Sequence, residues 1–155
     1  MAAPALTDAL VRRGVAYELI PHRHTETAAA EARAVGVSAH MTAKTVVVRT
    51  DDGFARVVVP ASCRIDPARV ARVLGVGAVA LATEAELAGA YPAFPLGAVP
   101  PFDALDPDPV VVDRRLARVG TVVFGAGSHE EAIEMRTADL VAAADALVAD
   151  VCERQ

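Results

Sequence analysis

The chain contains no tryptophan, a single lysine and two cysteines, and each scarcity excludes a class of protein. Cys63 and Cys152 belong to no CxxC or zinc-ligand pattern, so we expect reduced thiols rather than a disulfide scaffold. No run approaches the roughly 18 apolar residues that span a membrane. The N-terminus also lacks the basic-then-apolar layout of a secretory signal. Together these absences predict a cytoplasmic protein that makes no membrane contact.

An excess of positive charge is also missing. The net charge is -5 at pH 7. Proteins that coat DNA or long RNA need many cations because the phosphate backbone dominates their binding. The charge therefore predicts no DNA partner and at most a small contact with one end of a nucleic acid.

The common signatures of nucleophilic and nucleotide-binding enzymes are absent. The chain has no GxSxG nucleophile elbow, no GxxxxGK[ST] phosphate loop and no GxGxxG dinucleotide fingerprint. His22 and His24 lack a third metal ligand nearby, and Cys63 lacks the His or acid partner that a thiol nucleophile needs. We predict neither a metal nor an organic cofactor.

The 155 residues, of which 54% are hydrophobic, predict one domain over residues 1–155. Helices and strands are interspersed, which favours a mixed α/β sheet flanked by helices. The predicted helices lie before Gly14, from Thr25 or Thr27 to residue 35, and at 67–74, 84–88 and 137–148. The predicted strands lie at 15–20, 44–49, 54–59, 79–82, 110–112, 121–124 and 133–136.

Lys44 is the only lysine among the 15 lysines and arginines. Lysine and arginine differ in shape, hydration and ability to titrate, so a site that needs a compact ammonium resists replacement by arginine. Lys44 also opens the apolar run 45–48, where it can face a cleft at a sheet edge. The alternative is the chance survival of a surface lysine.

Residues 89–109 hold more than half of the ten prolines. Within this stretch, Gly97 lets backbone N–H groups approach a ligand closely, and Pro100 and Pro101 stiffen the loop. Preorganised donors of this kind suit a reaction with a developing oxyanion. A proline-rich loop that only covers the core is the alternative. Tyr91 and Phe94 could stack on a base or pack the loop.

Five blocks of sequence carry a resemblance to a known family. They occur in the same order and spacing across about residues 15 to 145, and the third contains a GxxxP pattern from Gly97 to Pro101. The chain is similar to the YbaK/prolyl-tRNA synthetase-associated domain family. Asp103 departs from the pattern, since many relatives have glycine there. The blocks are residues 27–32, 43–48, 97–102, 125–129 and 135–140.

The resemblance implies a fold of about six to seven strands, partly barrel-like, in a mixed sheet flanked by helices. It implies an aminoacyl-tRNA deacylase that acts in trans on mischarged tRNA, such as alanine or cysteine attached to tRNA for proline. The partners would be the aminoacylated 3′ end of tRNA and prolyl-tRNA synthetase or other translation factors.

The resemblance also implies the site. The catalytic residues would be Lys44, Gly97 and Ala98. The Lys44 ammonium would hold the phosphate of the terminal adenosine or the oxyanion. The backbone N–H groups of Gly97 and Ala98 would orient the ester carbonyl and the attacking water. His129 would shuttle a proton or cap the turn after its strand. The residues implied to contact substrate are Thr45, Val99, Pro101, Ser128 and His129.

Two other functions remain open from the sequence. The same cleft could serve a non-catalytic module that binds aminoacyl-tRNA or a free amino acid. It could also belong to a small hydrolase of another ester or phosphoester, for which tRNA is irrelevant.

Overall fold

The computed structural model describes residues 2–154, in which short helices alternate with strands. The helices are α1 (Pro4–Arg12), α2 (Ala28–Val35), α3 (Pro67–Leu74), α4 (Glu84–Ala90), α5 (Arg114–Ala117) and α6 (Thr137–Ala143). The strands are β1 (Tyr17–Pro21), β2 (Ala43–Thr50), β3 (Gly53–Pro60), β4 (Ala80–Leu81), β5 (Val110–Asp113), β6 (Thr121–Gly125), β7 (Glu131–Arg136) and β8 (Leu147–Ala149).

The strands form two sheets. One is an antiparallel sheet with the order β1-β7-β6, and the other has the order β4-β2-β3-β5-β8. The second sheet is mixed, because β2 pairs antiparallel with β3 and β4, whereas β5 pairs parallel with β3 and β8. The predicted mixed α/β class is confirmed. The strands of the described residues divide between two sheets, and neither sheet closes into a barrel.

Local capping explains where several helices begin. The Thr27 side chain accepts a hydrogen bond from the Ala30 N–H and starts α2. Asp66 accepts from the Ala68 and Arg69 N–H groups ahead of the proline that opens α3. These helix starts agree with those predicted from sequence, because a cap is a local interaction.

The predicted helix over 137–148 is wrong in its second half. Helix α6 ends at Ala143, and Asp145 takes a positive φ of 49° that turns the chain. Residues 147–149 then form β8, which pairs parallel with β5. Because the helix does not continue past Ala143, the apolar residues 147–149 are available to pair with the edge of β5. The short helix α5 was not predicted; the Asp113 side chain caps it by accepting from the Arg115 N–H.

Apolar side chains from both sheets meet in one core. Val58 and Val112 of the five-stranded sheet join Phe124 and Ile133 of the three-stranded sheet, and Leu6 of α1 packs with them. Val57, Val59 and Val111 point to the other face of the five-stranded sheet, which α3 covers. The alternation along β3 and β5 follows from the two-residue period of a strand.

Within residues 2–154, one isolated β-bridge joins the two sheets. Thr42, just before β2, pairs with Val123 of β6, and the Val123 N–H donates to the Met41 carbonyl over 2.9 Å. This contact places the beginning of β2 beside the end of β6. The seam between the sheets is therefore where side chains from both can meet.

A buried arginine holds the proline-rich loop. The Arg56 side chain on β3 and the Asp103 side chain are both fully buried (0% exposed), and Nη2 of Arg56 lies 2.6 Å from Oδ2 of Asp103. Nη1 donates to the Pro100 carbonyl over 3.0 Å. The guanidinium also lies over the Tyr91 ring, 4.7 Å from its centroid. The Arg56 side chain thus contacts the proline-rich loop at Tyr91, Pro100 and Asp103.

Asp103 in turn orders the chain that follows it. Its Oδ1 accepts hydrogen bonds from the N–H groups of Leu105 (2.6 Å) and Asp106 (2.8 Å). The Tyr91 hydroxyl donates to Asp108, and burial raises the pKa of that hydroxyl. The acidic residue that departs from the family pattern is therefore the counter-ion of a buried cation.

We expect Arg56→Met to lower the free energy of unfolding by about 3 to 5 kcal/mol, because it leaves the buried Asp103 carboxylate without its cation. Denaturant unfolding monitored by circular dichroism measures the loss. Arg49→Met is the matched control, since Arg49 lies on the neighbouring strand and its side chain is 56% exposed in its pair with Glu86. Similar losses for the two variants would show that the buried pair does not stabilise the fold.

Candidate functional site

A small cavity opens at the seam between the sheets. Its volume is about 80 Å³, well below the roughly 300 to 1,000 Å³ of pockets for drug-sized ligands. The beginning of β2, the end of β6, the N-terminal part of α2 and the proline-rich loop surround it. The lining residues are Thr25, Glu26, Thr27, Ala28, Glu31, Ala43, Lys44, Thr45, Gly97, Ala98, Val99, Pro101, Phe124, Gly125, Ser128 and His129.

The structure brings together every residue that the sequence analysis placed in the site. The three segments come from distant parts of the chain and meet in this one cavity, at its floor and its rim. They are Lys44 and Thr45 on β2, Gly97, Ala98, Val99 and Pro101 on the loop, and Ser128 and His129 after β6. Their roles stay predictions.

Lys44 is half-buried at the beginning of β2, where its backbone pairs with Val59 of β3. Within residues 2–154 its ammonium has neither an ion-pair partner nor a hydrogen bond. Partly buried cations normally acquire a partner, because desolvation disfavours an uncompensated charge. An ammonium left unpaired in a cavity is therefore available to an anionic ligand.

The loop contributes Gly97, Ala98 and Val99 to the lining of the same cavity. Gly97 has a φ of +79°, a conformation that favours glycine. The Ala98 N–H already donates to the Pro95 carbonyl over 3.0 Å, whereas the N–H groups of Gly97 and Val99 have no acceptor in the part of the chain that is described. Gly97 is thus the free donor of the predicted pair. A donor role for Ala98 stays a prediction that requires its turn bond to open.

His129 supports the loop from the opposite wall. Its Nε2 lies 2.9 Å from the Leu96 carbonyl oxygen, so Nε2 carries the proton that it donates there. A Cβ on Gly97 would lie 3.5 Å from Cε1 of His129. The His129 carbonyl accepts from the Thr25 N–H over 2.9 Å. The imidazole therefore positions the residue next to Gly97, and a proton shuttle through Nδ1 stays a prediction.

Glu31 was not predicted as a site residue, yet its carboxyl group lines the cavity. The side chain is 6% exposed, and Oε2 lies 3.1 Å from Nε2 of His22, itself 2% exposed. Burial raises the pKa of Glu31, and the hydrogen bond from His22 opposes that rise. The signal that could have identified it is its position in the block 27–32, which carries the family resemblance.

Other residues considered from sequence lie outside the cavity. Tyr91 and Phe94 are buried in a cluster of their own and pack the loop, so neither face is open to a base. Cys63 and Cys152 are buried in the core beneath α3. Within residues 2–154, no group of three or more His, Cys, Asp or Glu side chains is placed to hold a metal ion. No helix in that range has the length and apolar character that crossing a membrane requires.

The family model for the aminoacyl-tRNA editing domain matches residues 22–143. That range includes every residue that lines the cavity. The chain belongs to the aminoacyl-tRNA editing domain family. The family resemblance drawn from the sequence is confirmed.

Solved structures of the same fold agree with this assignment. A hypothetical protein is 33% identical with a TM-score of 0.86, over 95% of this chain and 98% of that one. A candidate trans-editing enzyme for prolyl tRNA synthetase is 27% identical with a TM-score of 0.86, over 96% and 94%. A scaffold protein from computational epitope grafting is 25% identical with a TM-score of 0.87, over 99% and 97%. No protein among the curated ones matches.

The segment that carries Ser128 and His129 depends on a glycine before it. We expect Gly127→Ala to destabilise the protein, because Gly127 has a φ of +82° and a Cβ there would lie 2.5 Å from Cβ of Ala3. Gly36→Ala is the matched control, with a φ of +84° and nothing within 4 Å. Both variants carry backbone strain of about 1 kcal/mol. Because of overpacking, Gly127→Ala should lower the free energy of unfolding by roughly 1 to 3 kcal/mol more than Gly36→Ala does, as measured by denaturant unfolding. Equal losses in the two variants would show that residue 127 is not tightly packed against Ala3.

Proposed function

We propose that this protein is a trans-acting aminoacyl-tRNA deacylase, which hydrolyses the ester of a mischarged tRNA without an attached synthetase. The observation that carries the proposal is the shared cavity, whose lining includes Lys44, Gly97 and Val99. Within residues 2–154 the Lys44 ammonium has no partner, and the N–H groups of Gly97 and Val99 have no acceptor. Membership of the aminoacyl-tRNA editing domain family supports the same activity.

Hydrolysis of an aminoacyl ester needs little help from side chains, because the ester is already activated. A water molecule attacks the carbonyl carbon, the bond to the ribose oxygen breaks, and a free amino acid and a tRNA with a free terminal hydroxyl result. In the proposed mechanism the Gly97 N–H orients the carbonyl oxygen and stabilises its developing charge. Lys44 holds the phosphate of the terminal adenosine or the oxyanion. Neither step requires a nucleophilic side chain.

The walls of the cavity support a small amino acid as the group removed. Val99, Pro101 and Thr45 line it with small or rigid groups, and its volume of about 80 Å³ favours a small side chain such as that of alanine or cysteine. The likeness to a candidate trans-editing enzyme for prolyl tRNA synthetase supports tRNA for proline as the carrier. We further propose that the protein acts in the cytoplasm as one domain, without a cofactor, on the 3′ end of the tRNA, with prolyl-tRNA synthetase or another translation factor as a partner.

Lys44→Ala should lower the rate of deacylation of Ala-tRNA for proline by at least about 100-fold while the protein stays folded, because the cation that faces the developing charge is lost. Lys44→Arg keeps the charge but replaces the compact ammonium by a planar fork, and it should also lose most activity. Release of labelled alanine under excess substrate measures both rates. Arg49→Met, on the same strand and outside the cavity, should retain full activity.

Three outcomes would contradict parts of the proposal. Activity retained by Lys44→Ala would remove Lys44 from the mechanism. Tight binding of Ala-tRNA without turnover would show a binding module instead of an enzyme. An ester hydrolase that acts on simple esters and is not inhibited by uncharged tRNA for proline would make tRNA irrelevant.

A further inference from the structure

The Glu31 carboxyl group has one oxygen engaged and one free. Oε2 contacts Nε2 of His22 at 3.1 Å, and Nδ1 of the same ring donates to the Arg23 carbonyl over 2.6 Å. Within residues 2–154, Oε1 has no hydrogen-bond partner, although the side chain is only 6% exposed. Oε1 keeps some contact with solvent, so a ligand or a water molecule can supply its donor.

The Glu31 carboxyl group lies in the wall of the cavity. A Cβ on Gly125 would lie 3.8 Å from Oε1 and 3.4 Å from Oε2, so glycine leaves room for the carboxyl group beside β6. Because His22 contacts Oε2, Oε1 is the oxygen left to accept a hydrogen bond from a ligand. The cavity therefore contains a preorganised acceptor as well as the donors described above.

The cavity thus separates two kinds of group. Lys44 and the Gly97 N–H can serve anionic or carbonyl oxygens, and Glu31 can serve a donor. Lys44 and Glu31 form no ion pair with each other in the part of the chain that the structure describes. An aminoacyl ester has the complementary pattern, since its carbonyl and phosphate are acceptors and its α-ammonium is a donor.

We propose that Glu31, held by His22, binds the α-ammonium of the aminoacyl group, so that the protein discriminates against tRNA whose amino acid carries a blocked amine. An N-acyl group removes the positive charge and adds bulk in a cavity of about 80 Å³. Free aminoacyl esters are then accepted, whereas N-acylated and peptidyl esters are rejected. This inference rests on the proposed aminoacyl-ester substrate.

Binding of non-hydrolysable analogues tests the inference apart from catalysis. The probes are adenosine carrying alanine through a 3′-amide and the same compound with an N-acetylated alanine. Calorimetry should show about 10- to 100-fold tighter binding of the free amine to the wild type, as one charge-assisted hydrogen bond provides. Glu31→Gln, which keeps the shape, should reduce that preference to within about threefold by weakening only the free-amine probe. Glu18→Gln, on the exposed face of β1, should leave it unchanged.

The two proposals fail separately. Equal binding of both probes to the wild type, or an undiminished preference in Glu31→Gln, would overturn the role of Glu31. Discrimination between the probes without turnover of Ala-tRNA would uphold that role and overturn the deacylase. If Glu31→Gln lowers kcat with KM unchanged and retains the preference, Glu31 acts in the chemical step and does not bind the ammonium.

Discussion

The ion pair between Arg56 and Asp103 is the constraint on which the site depends. A loop with many prolines cannot satisfy its own backbone groups through secondary structure, because proline lacks an N–H and resists both helix and sheet. The guanidinium supplies the missing donors to the Pro100 carbonyl and to Asp103, while Asp103 accepts from the N–H groups that follow it. Arg56 therefore anchors the loop at Pro100 and Asp103, next to the segment from Gly97 to Pro101 that lines the cavity.

The second constraint is the seam between the sheets. Neither sheet alone contains the site, because Lys44 begins β2 and Ser128 and His129 follow β6. The bridge from Thr42 to Val123 fixes the distance between those two segments. The hydrogen bond from His129 to the Leu96 carbonyl then attaches the loop to the second sheet. The cavity is thus held on three sides by contacts between segments that are distant in sequence.

Two helix starts that depend on residues close in the sequence were predicted correctly, whereas a strand that depends on a distant partner was not. The helices that follow Asp66 and Thr27 begin at caps set by neighbours within a few residues, and their starts were predicted correctly. The strand at 147–149 was predicted as helix because only its pairing with β5 makes it a strand. The site residues were predicted from one rare lysine and from motifs. Glu31 was missed because its burial beside Gly125 and His22 is visible only once β6 packs on α2.

The contrast between Arg56 and Lys44 separates two uses of positive charge. A buried permanent ion pair favours the planar guanidinium, whose two terminal nitrogens contact the Pro100 carbonyl and the Asp103 carboxylate together. Every other Lys or Arg position of the chain is arginine, and Lys44 is the one among them that lines the cavity. A site that receives and releases an anion favours a compact ammonium that no neighbour neutralises. The anion-binding role proposed for Lys44 would therefore account for both its rarity in the sequence and its unpaired state within residues 2–154.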